Sequence, residues 1–428
     1  MFRKNMLPAI SILAPAYNEE LSIVNSVESL LNVNYPDFEV IVVNDGAKDR
    51  TLELLVAHFK LEKTDHAYRA RLQTQPVRGI YVNPHIPGFT VIDKINGGKA
   101  DSLNVGINAA KGEYVLGIDS DSILDPDSLL VLTSAFLDEK TKVVASGGNI
   151  MPVNGCTIDR GIIVNKRIPS APVPLFQTIE YYRAFMNGRL GWSRLNTLMI
   201  ISGAFGIFRR EEVISISGYL TSLEKHEKDI VGEDMELVIR LSRQLQEQRV
   251  PHRILYNLQS HCWTEVPDSM RILKRQRDRW QRGLIQILAF HRRMIGNPRY
   301  GRYGLVGFPY FAFVEVLGPW FEFLGILAFV AGLATGWLYV GVLVFYLATN
   351  LLFSFALSVA SLYIGDFDRP QFPARDRLAL VLTSLAETFG FRQIISFFRI
   401  TGFISVLRNV TGWGIMTRRG FGQKGGRR

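Results

Sequence analysis

An α/β fold with a mostly parallel sheet, followed by C-terminal transmembrane and interfacial helices, is predicted by three features of this 428-residue sequence. Short β-type runs alternate with helical stretches over residues 9–150, the pattern of a parallel sheet with helices on both faces. Carboxylates recur just after the β-type runs, at the sheet edge where ligands of such folds bind. From Leu305 onward the chain turns strongly apolar.

The elements follow in order. AISILAPAY (9–17) is a strand ending in a Pro-containing loop. Glu19 to Leu31 is helical, with Leu21, Val24, Val27, Leu30 and Leu31 on one face. FEVIVVND (38–45) is β-branched and apolar, as a strand buried on both faces requires. Arg50 to Phe59 is a helix, GIYVN (79–83) a third strand, Lys99 to Ala110 a helix, EYVLGIDSD (113–121) a strand and Asp127 to Phe136 a helix. KVVASGGNI (142–150) closes the series. Residues 151–300 are less regular. Gln177 to Arg194 reads as a helix, LMIISGAFGIFRR (198–210) as a strand with a glycine bend, and GEDMELVIRLSRQ (232–244) as a helix opening at its acidic end. Residues 269–294 form a long helix, basic on one side and apolar on the other, suited either to a membrane interface or to a surface over the core.

The apolar region sets the rest of the organisation. Leu305–Ala334 contains Glu315, Pro319 and Glu322, so it is a kinked span or an interfacial turn followed by a span. Trp337–Ile364 carries no charge and exceeds the ~20 residues that cross a bilayer. Residues 378–407 carry Glu387, Arg392 and Arg399; a third single span there would export the basic tail, against the positive-inside tendency. The expected layout is a cytosolic domain at 1–270, an amphipathic interfacial helix at 271–300, and two transmembrane spans within 305–364. Interfacial or re-entrant helices and a basic cytosolic tail complete it at 365–428.

Composition limits the function. Hydrophobic residues make up 47% and the net charge is +10. That charge suits contact with anionic lipid or the cytoplasmic flanks of spans. No Lys/Arg-dense recognition helix or basic-aromatic repeat points to nucleic acid. Cys156 and Cys262 have neither zinc-ligand nor disulfide-framework spacing. The N-terminal apolar run is broken by Pro8 and Pro15, which fits a first strand rather than a signal peptide and predicts that the first 290 residues stay in the cytoplasm.

Several short motifs carry chemistry. Asp45 precedes a glycine after a strand: an Asx-turn, or a carboxylate that accepts a base N–H. With the neighbouring loop residues Ala16, Tyr17, Asn18 and Glu19 it can form a nucleotide-base pocket. Asp119-Ser120-Asp121 ends the most apolar strand. Two carboxylates so placed repel unless neutralised, and Mg²⁺ or Mn²⁺ bridged to a diphosphate does this with oxygen ligands; the bland alternative is a turn. Lys99 stands between a glycine pair and a helix, a place that favours phosphate. Gly232-Glu233-Asp234 opens a helix, where acidic residues also serve as caps. As a site, it offers Asp234 as general base for an attacking hydroxyl, with Glu233 beside it. Gln276-Arg277-Asp278-Arg279-Trp280 offers Arg279 to a diphosphate and Trp280 as a floor for a sugar ring; the bland alternative for the tryptophan is an interfacial anchor. Ser202 and Gly203 belong to an acceptor-side loop or a strand bend. His261 reads as a structural hydrogen-bonding group.

Together these residues resemble the membrane-bound processive glycosyltransferases of family 2, the group of cellulose, hyaluronan and poly-N-acetylglucosamine synthases. The resemblance covers roughly residues 8–300 by motif. It implies a nucleotide-diphospho-sugar transferase (GT-A-like) domain and an inverting single displacement. By family role, Asp45 and Asp119 contact the nucleotide, Asp121 binds metal, Asp234 is the base, and Gln276, Arg279 and Trp280 close over donor and acceptor. The departures are Gly232 where many members have Thr, no membrane helices ahead of the first strand, and no room for a C-terminal cyclic-di-GMP domain. The layout is nearest to the poly-β-1,6-N-acetylglucosamine synthases.

The expectation is metal-dependent transfer from a UDP-sugar to a growing exopolysaccharide at the bacterial inner membrane, with the catalytic domain cytosolic. A single-addition enzyme acting on a lipid-linked acceptor, and a degenerate sugar-nucleotide-binding subunit, are the alternatives. Few spans suggest that a membrane partner subunit or a homo-oligomer completes any exit path.

Overall fold

The computed structural model describes residues 7–65, 68–137, 141–221, 231–337, 339–366 and 369–410. The expected basic cytosolic tail lies beyond these residues. Among the described residues twelve strands form: β1 (Ile10–Ala16), β2 (Phe38–Asn44), β3 (Glu62–Thr64), β4 (Val77–Val82), β5 (Phe89–Lys94), β6 (Tyr114–Ile118), β7 (Ser122–Leu124), β8 (Val143–Pro152), β9 (Thr157–Asp159), β10 (Ile162–Asn165), β11 (Phe205–Arg209) and β12 (Arg253–Thr264). Ten of them build one sheet in the order β3-β4-β5-β2-β1-β6-β11-β8-β12-β7, and β9 and β10 make a separate hairpin. The centre β5-β2-β1-β6 is parallel, as the strand–helix alternation predicts. β11 runs antiparallel between β6 and β8.

Parallel register places strand ends together. Ala16 lies opposite Asn44, and Leu13 opposite Gly117, so β1, β2 and β6 finish on one edge. The residues that follow them, Tyr17, Asp45 and Asp119, therefore share a rim. Val40–Val43 and the whole of β6 are buried, which fits the unbroken apolar runs.

Three features depart from the expected elements. GIYVN belongs to β4, which pairs antiparallel near the sheet edge; the place beside β2 goes to β5, FTVIDK. β11 begins only at Phe205, because a turn at Gly203 keeps Leu198–Ala204 out of the sheet. β12 was not legible, because the register shift between Asn257 and His261 breaks its two-residue period.

The C-terminal half is helical. The helix Met270–Phe290 buries Gln276, Arg277, Gln281 and Arg282 together with Leu273 and Ile287, so its polar side packs on protein. Against it lies the helix Phe391–Leu407. A Cβ on Gly402 would stand 2.7 Å from the Asp278 backbone oxygen, so only glycine permits this approach. Ser405 Oγ donates to Asp278 Oδ1 at 2.8 Å, and Arg399 Nε to Gln281 Oε1 at 2.9 Å.

Among the described residues one helix is long and apolar enough to cross a membrane by itself, Val340–Gly365, with a mean hydropathy of 2.0. Tyr303–Val316 with Gly318–Ala334, and Ala374–Thr388 with Phe391–Leu407, pass the same test only as pairs, bent by 40° and 60°. Large side chains such as Phe321, Phe345 and Leu352 point outward, 65–73% exposed.

The chain after the long apolar helix returns to the α/β domain. Phe372 meets the buried Trp263 ring edge-on at 5.8 Å, Lys166 Nζ donates to Gln371 Oε1 at 3.0 Å, and Arg167 pairs with Asp376 at 2.9 Å. Arg183 grips the buried Glu387 through its two terminal guanidinium nitrogens, and Arg392 approaches the same carboxylate at 3.5 Å. Glu387→Gln would leave two partly buried guanidiniums without their counter-charge. The expected cost is about 2–3 kcal/mol after allowing for solvent screening, seen as a lower melting temperature in detergent. An unchanged melting temperature would show that the pair contributes nothing.

Candidate active site

A cavity of about 780 Å³ opens at the carboxyl edge of the sheet and runs toward the apolar helices. Lys99, Asp119, Asp121, Ser202, Gly203, Glu233, Asp234, Gln276, Arg279 and Trp280 all line it. Ten positions singled out in the sequence, spread over 182 residues, are thus brought to one space. Its far wall is Phe311, Glu315, Ile395 and Arg399.

Asp45 and the 16–19 loop lie apart from the cavity, farther along the rim. The Asp45 carboxylate is buried and takes its hydrogen bonds from one loop: Lys94 Nζ at 2.5 Å, Gly97 N at 2.9 Å, Gly98 N at 2.8 Å and Asn96 Nδ2 at 3.1 Å. It thereby anchors the turn that starts the helix Lys99–Ala109. Asp45 N donates to Ala16 O, Lys48 N to Asn18 Oδ1 and Glu19 N to Thr51 Oγ1. Those bonds knit the two loops into one surface on which Tyr17 stands 44% exposed.

Lys99 joins the Asp119 and Glu233 sides of the cavity. Its Nζ lies 2.5 Å from Asp119 Oδ1, 3.3 Å from Gly203 O and 3.5 Å from Glu233 Oε1. Burial alone would push this ammonium down, but the charges of Asp119 and Glu233 outweigh it and hold the lysine raised. Asp121 is 3% exposed at the cavity wall, in the turn between β6 and β7.

The two adjacent carboxyls of the Gly-Glu-Asp turn are set apart by their surroundings. Burial pushes Glu233 up, Lys99 opposes it, and Asp234 raises it further. Asp234 instead meets backbone donors: Oδ2 accepts from Gly203 N at 3.0 Å and Oδ1 from Met235 N at 2.8 Å. Gly203 is therefore more than a strand bend, because it fixes the carboxylate that the sequence marks as a base.

Elsewhere on the cavity wall, Gln276 is buried, and its Oε1 has no hydrogen-bond partner among the described residues. Arg277 lies 4.3 Å over the Trp280 ring and pairs with Glu180 at 2.7 Å. This stack sets the indole plane and leaves Trp280 43% exposed on the cavity. Sequence reasoning assigned no role to Arg277, although its i, i+3 spacing from Trp280 places both on one helix face. His261 is buried 3.9 Å from Asp125, and burial pushes it down to about 4, which suits a neutral structural ring.

The sequence profile of "Glycosyl transferase family 2" matches residues 11–211, and that of "Glycosyl transferase family group 2" matches residues 114–365, more than half of the chain. The chain belongs to glycosyltransferase family 2. Curated relatives of this family-2 chain include the poly-β-1,6-N-acetyl-D-glucosamine synthases of Staphylococcus epidermidis and Staphylococcus aureus (strain COL). The first is 28% identical over 280 residues, 65% of this chain and 55% of the relative. The second is 27% identical over 282 residues, 66% of this chain and 56% of the relative. The matched region thus spans about half the length of those relatives. Among solved structures, the mannosyltransferase PcManGT from Pyrobaculum calidifontis, in complex with GDP-mannose and Mn²⁺, shares the GT-A-like fold. It matches with a TM-score of 0.56 and 15% identity over 95% of this chain and 89% of that one.

Proposed function

We propose that this protein transfers a sugar from a UDP-sugar to the end of a growing β-linked exopolysaccharide, of the poly-N-acetylglucosamine or β-glucan type, at the bacterial inner membrane. The observation that carries the reading is the single cavity shared by Asp119, Asp121, Lys99, Asp234, Gln276 and Trp280, walled on one side by the apolar helices.

The residues divide the reaction between them. Asp119 and Asp121, with Lys99 and Arg279, form the donor end. The oxygen donors of the two carboxylates fit Mg²⁺ or Mn²⁺, with the donor's phosphates and water completing the shell. Among the described residues no group of three or more His, Cys, Asp or Glu is placed to hold a metal alone, so the donor would supply ligands. A bound divalent ion supplies Lewis-acid stabilisation of the departing diphosphate. Asp45 acts on the donor by holding the 96–98 loop, beside a base surface formed with Ala16–Glu19. Asp234, aimed by Gly203 N, takes the proton of the acceptor hydroxyl. That oxygen attacks the anomeric carbon from the face opposite the leaving group, so a β-linkage forms as the bond to UDP breaks. Trp280 supports the acceptor ring, and Gln276 offers it an acceptor oxygen.

The docking of 369–376 on the catalytic domain supports the topology. With both ends of the 303–365 segment on the catalytic side, that segment crosses twice, and Ala374–Leu407 forms a bent interfacial or re-entrant pair. A cytosolic catalytic domain follows from the need for UDP-sugar. The test is to incubate the purified protein in nanodiscs with a panel of UDP-sugars, measure UDP release and size the product. Release of no UDP from any donor overturns the reading, and a product extended by one sugar would favour a single-addition enzyme on a lipid-linked acceptor. Trp280→Ala should shorten the product several-fold while the enzyme still releases UDP; an unchanged size distribution would remove Trp280 from acceptor support.

A further inference from the structure

We infer that the groove between the cytosolic end of the long apolar helix and the helix Ala374–Thr388 binds one anionic glycerophospholipid, with its phosphate on Arg377. The inference uses the membrane placement proposed above and is independent of the transfer reaction.

A second cavity, of about 490 Å³, lies between these two helices and shares no lining residue with the catalytic one. Val359, Leu362 and Tyr363 reach it from Val340–Gly365, and Arg377, Leu378 and Val381 from Ala374–Thr388. Leu362 is a buried floor, whereas Tyr363 and Leu378 are 65% and 61% exposed, so one side opens onto the surroundings of the apolar helices.

Among the described residues Arg377 is the one charged group lining this cavity. It is half-buried and makes no ion pair or hydrogen bond among those residues. Its neighbour Asp376 is already taken, by Arg167 at 2.9 Å and by Ile168 N at 3.3 Å. Arg377 Nε is sealed from solvent, but its two terminal nitrogens, equally unbonded, are not sealed, and they are the atoms open to a ligand.

Charge and shape together select the occupant. A guanidinium without a counter-charge favours an anion, and its planar fork matches two phosphate oxygens. The apolar walls require hydrocarbon on the same molecule, which a free phosphate or a nucleotide lacks. A neutral chain alone leaves Arg377 unanswered. Basic pockets between transmembrane helices on the cytoplasmic side suit anionic headgroups. No carboxylate lines the cavity among the described residues, so the ammonium of a zwitterionic lipid finds no partner there. The acyl chains continue over Leu378 and Leu382, one helical turn apart and both 61% exposed. Leu362 belongs to the core that contains Trp263 and Ile123, and Val381 packs against it. A lipid in the groove therefore braces the packing of the apolar helices on the α/β domain.

The test is thermal unfolding of the full chain in a neutral detergent, with added dioleoyl phosphatidylglycerol, dioleoyl phosphatidylethanolamine, dioleoylglycerol or a polyprenyl phosphate. Phosphatidylglycerol should raise the parent's melting temperature by about 3 °C, and uncharged dioleoylglycerol by about 1 °C or less. Arg377→Gln should lose most of the rise, and Arg377→Lys, a point charge without the fork, should keep about half. Arg375→Gln, at an exposed arginine outside the cavity lining, should keep all of it. Native mass spectrometry should find one phosphatidylglycerol retained on the parent and none on Arg377→Gln. Where Arg377→Gln does not fold, Leu378→Asp sets a carboxylate beside the arginine at an exposed position and should abolish the rise by itself. Equal shifts from all the lipids, or equal losses in Arg375→Gln and Arg377→Gln, would show an arginine that only snorkels to the headgroups and overturn the site. An equal shift with phosphatidylethanolamine overturns the anionic headgroup, and a larger one with the polyprenyl phosphate overturns the glycerophospholipid. A protein that responds as expected yet releases no UDP refutes the transfer reading alone, whereas one that transfers sugar with no lipid response refutes this inference alone.

Discussion

Asp234→Asn should abolish sugar transfer while leaving donor binding intact. The substitution removes a proton acceptor and one backbone hydrogen bond, the one Asp234 Oδ1 accepts from Met235 N. Asn keeps a carbonyl oxygen that can accept from Gly203 N, the bond that now aims the carboxylate at 3.0 Å. The fold cost is therefore small and the chemical cost large. A general base contributes about 10²–10⁴-fold to rate, and that is the expected fall in kcat. Glu233 is a poor substitute, because burial raises it toward its neutral form and it already faces Lys99 at 3.5 Å. UDP release with acceptor present measures the rate, and calorimetric titration of UDP-sugar measures the binding. Turnover near the parent's would remove Asp234 as the base; loss of donor affinity would reassign it to the donor site.

The second large effect is expected at the aspartate pair. Chelation with EDTA should stop transfer, and added Mg²⁺ or Mn²⁺ should restore it. Asp121→Asn should lower kcat/KM by about 10²–10³-fold, the scale of several kcal/mol of lost charge stabilisation. Asp119 and Asp121 differ in their surroundings. Asp119 lies against the Lys99 ammonium at 2.5 Å, so part of its charge is already answered within the protein. Asp121 is the more deeply buried of the two and lines the cavity wall. A direct readout is Mn²⁺ binding in the presence of UDP by electron paramagnetic resonance, expected to weaken in Asp121→Asn. Activity indifferent to EDTA, together with unaltered Mn²⁺ binding, would remove Asp121 from metal binding.

Much of this arrangement was legible because it is written locally. A β-branched run followed by a carboxylate fixes both a buried strand and the position of the acid at its end, which is why Asp119 and Asp121 were found without a structure. Glu233-Asp234 at a helix start and Trp280 on an amphipathic helix are also local signals. What escaped depends on contacts between distant segments. The reach of Asp45 to the 96–98 loop spans about 50 residues of sequence, and no spacing rule announces it. β12 hid because its polar residues pair in a shifted register that blurs the alternation. Glu315 and Arg399 read as charges spoiling apolar segments, whereas they pair at 2.8 Å at the end of the cavity.

The helices that look like an anchor have a further meaning. Trp263, Met151 and Ile123 of the α/β domain share one core with Leu362, Phe372 and Leu380, and Met199 and Met235 share another with Tyr303, Phe308 and Val316. The boundary between an enzyme and its tether, drawn so readily on the sequence near residue 300, does not exist as a physical seam. A catalytic half cut there would bare two cores and lose the wall made by Phe311, Glu315, Ile395 and Arg399. The apolar helical portion is structurally interior to the enzyme, and truncation there would come at the expense of the cavity itself.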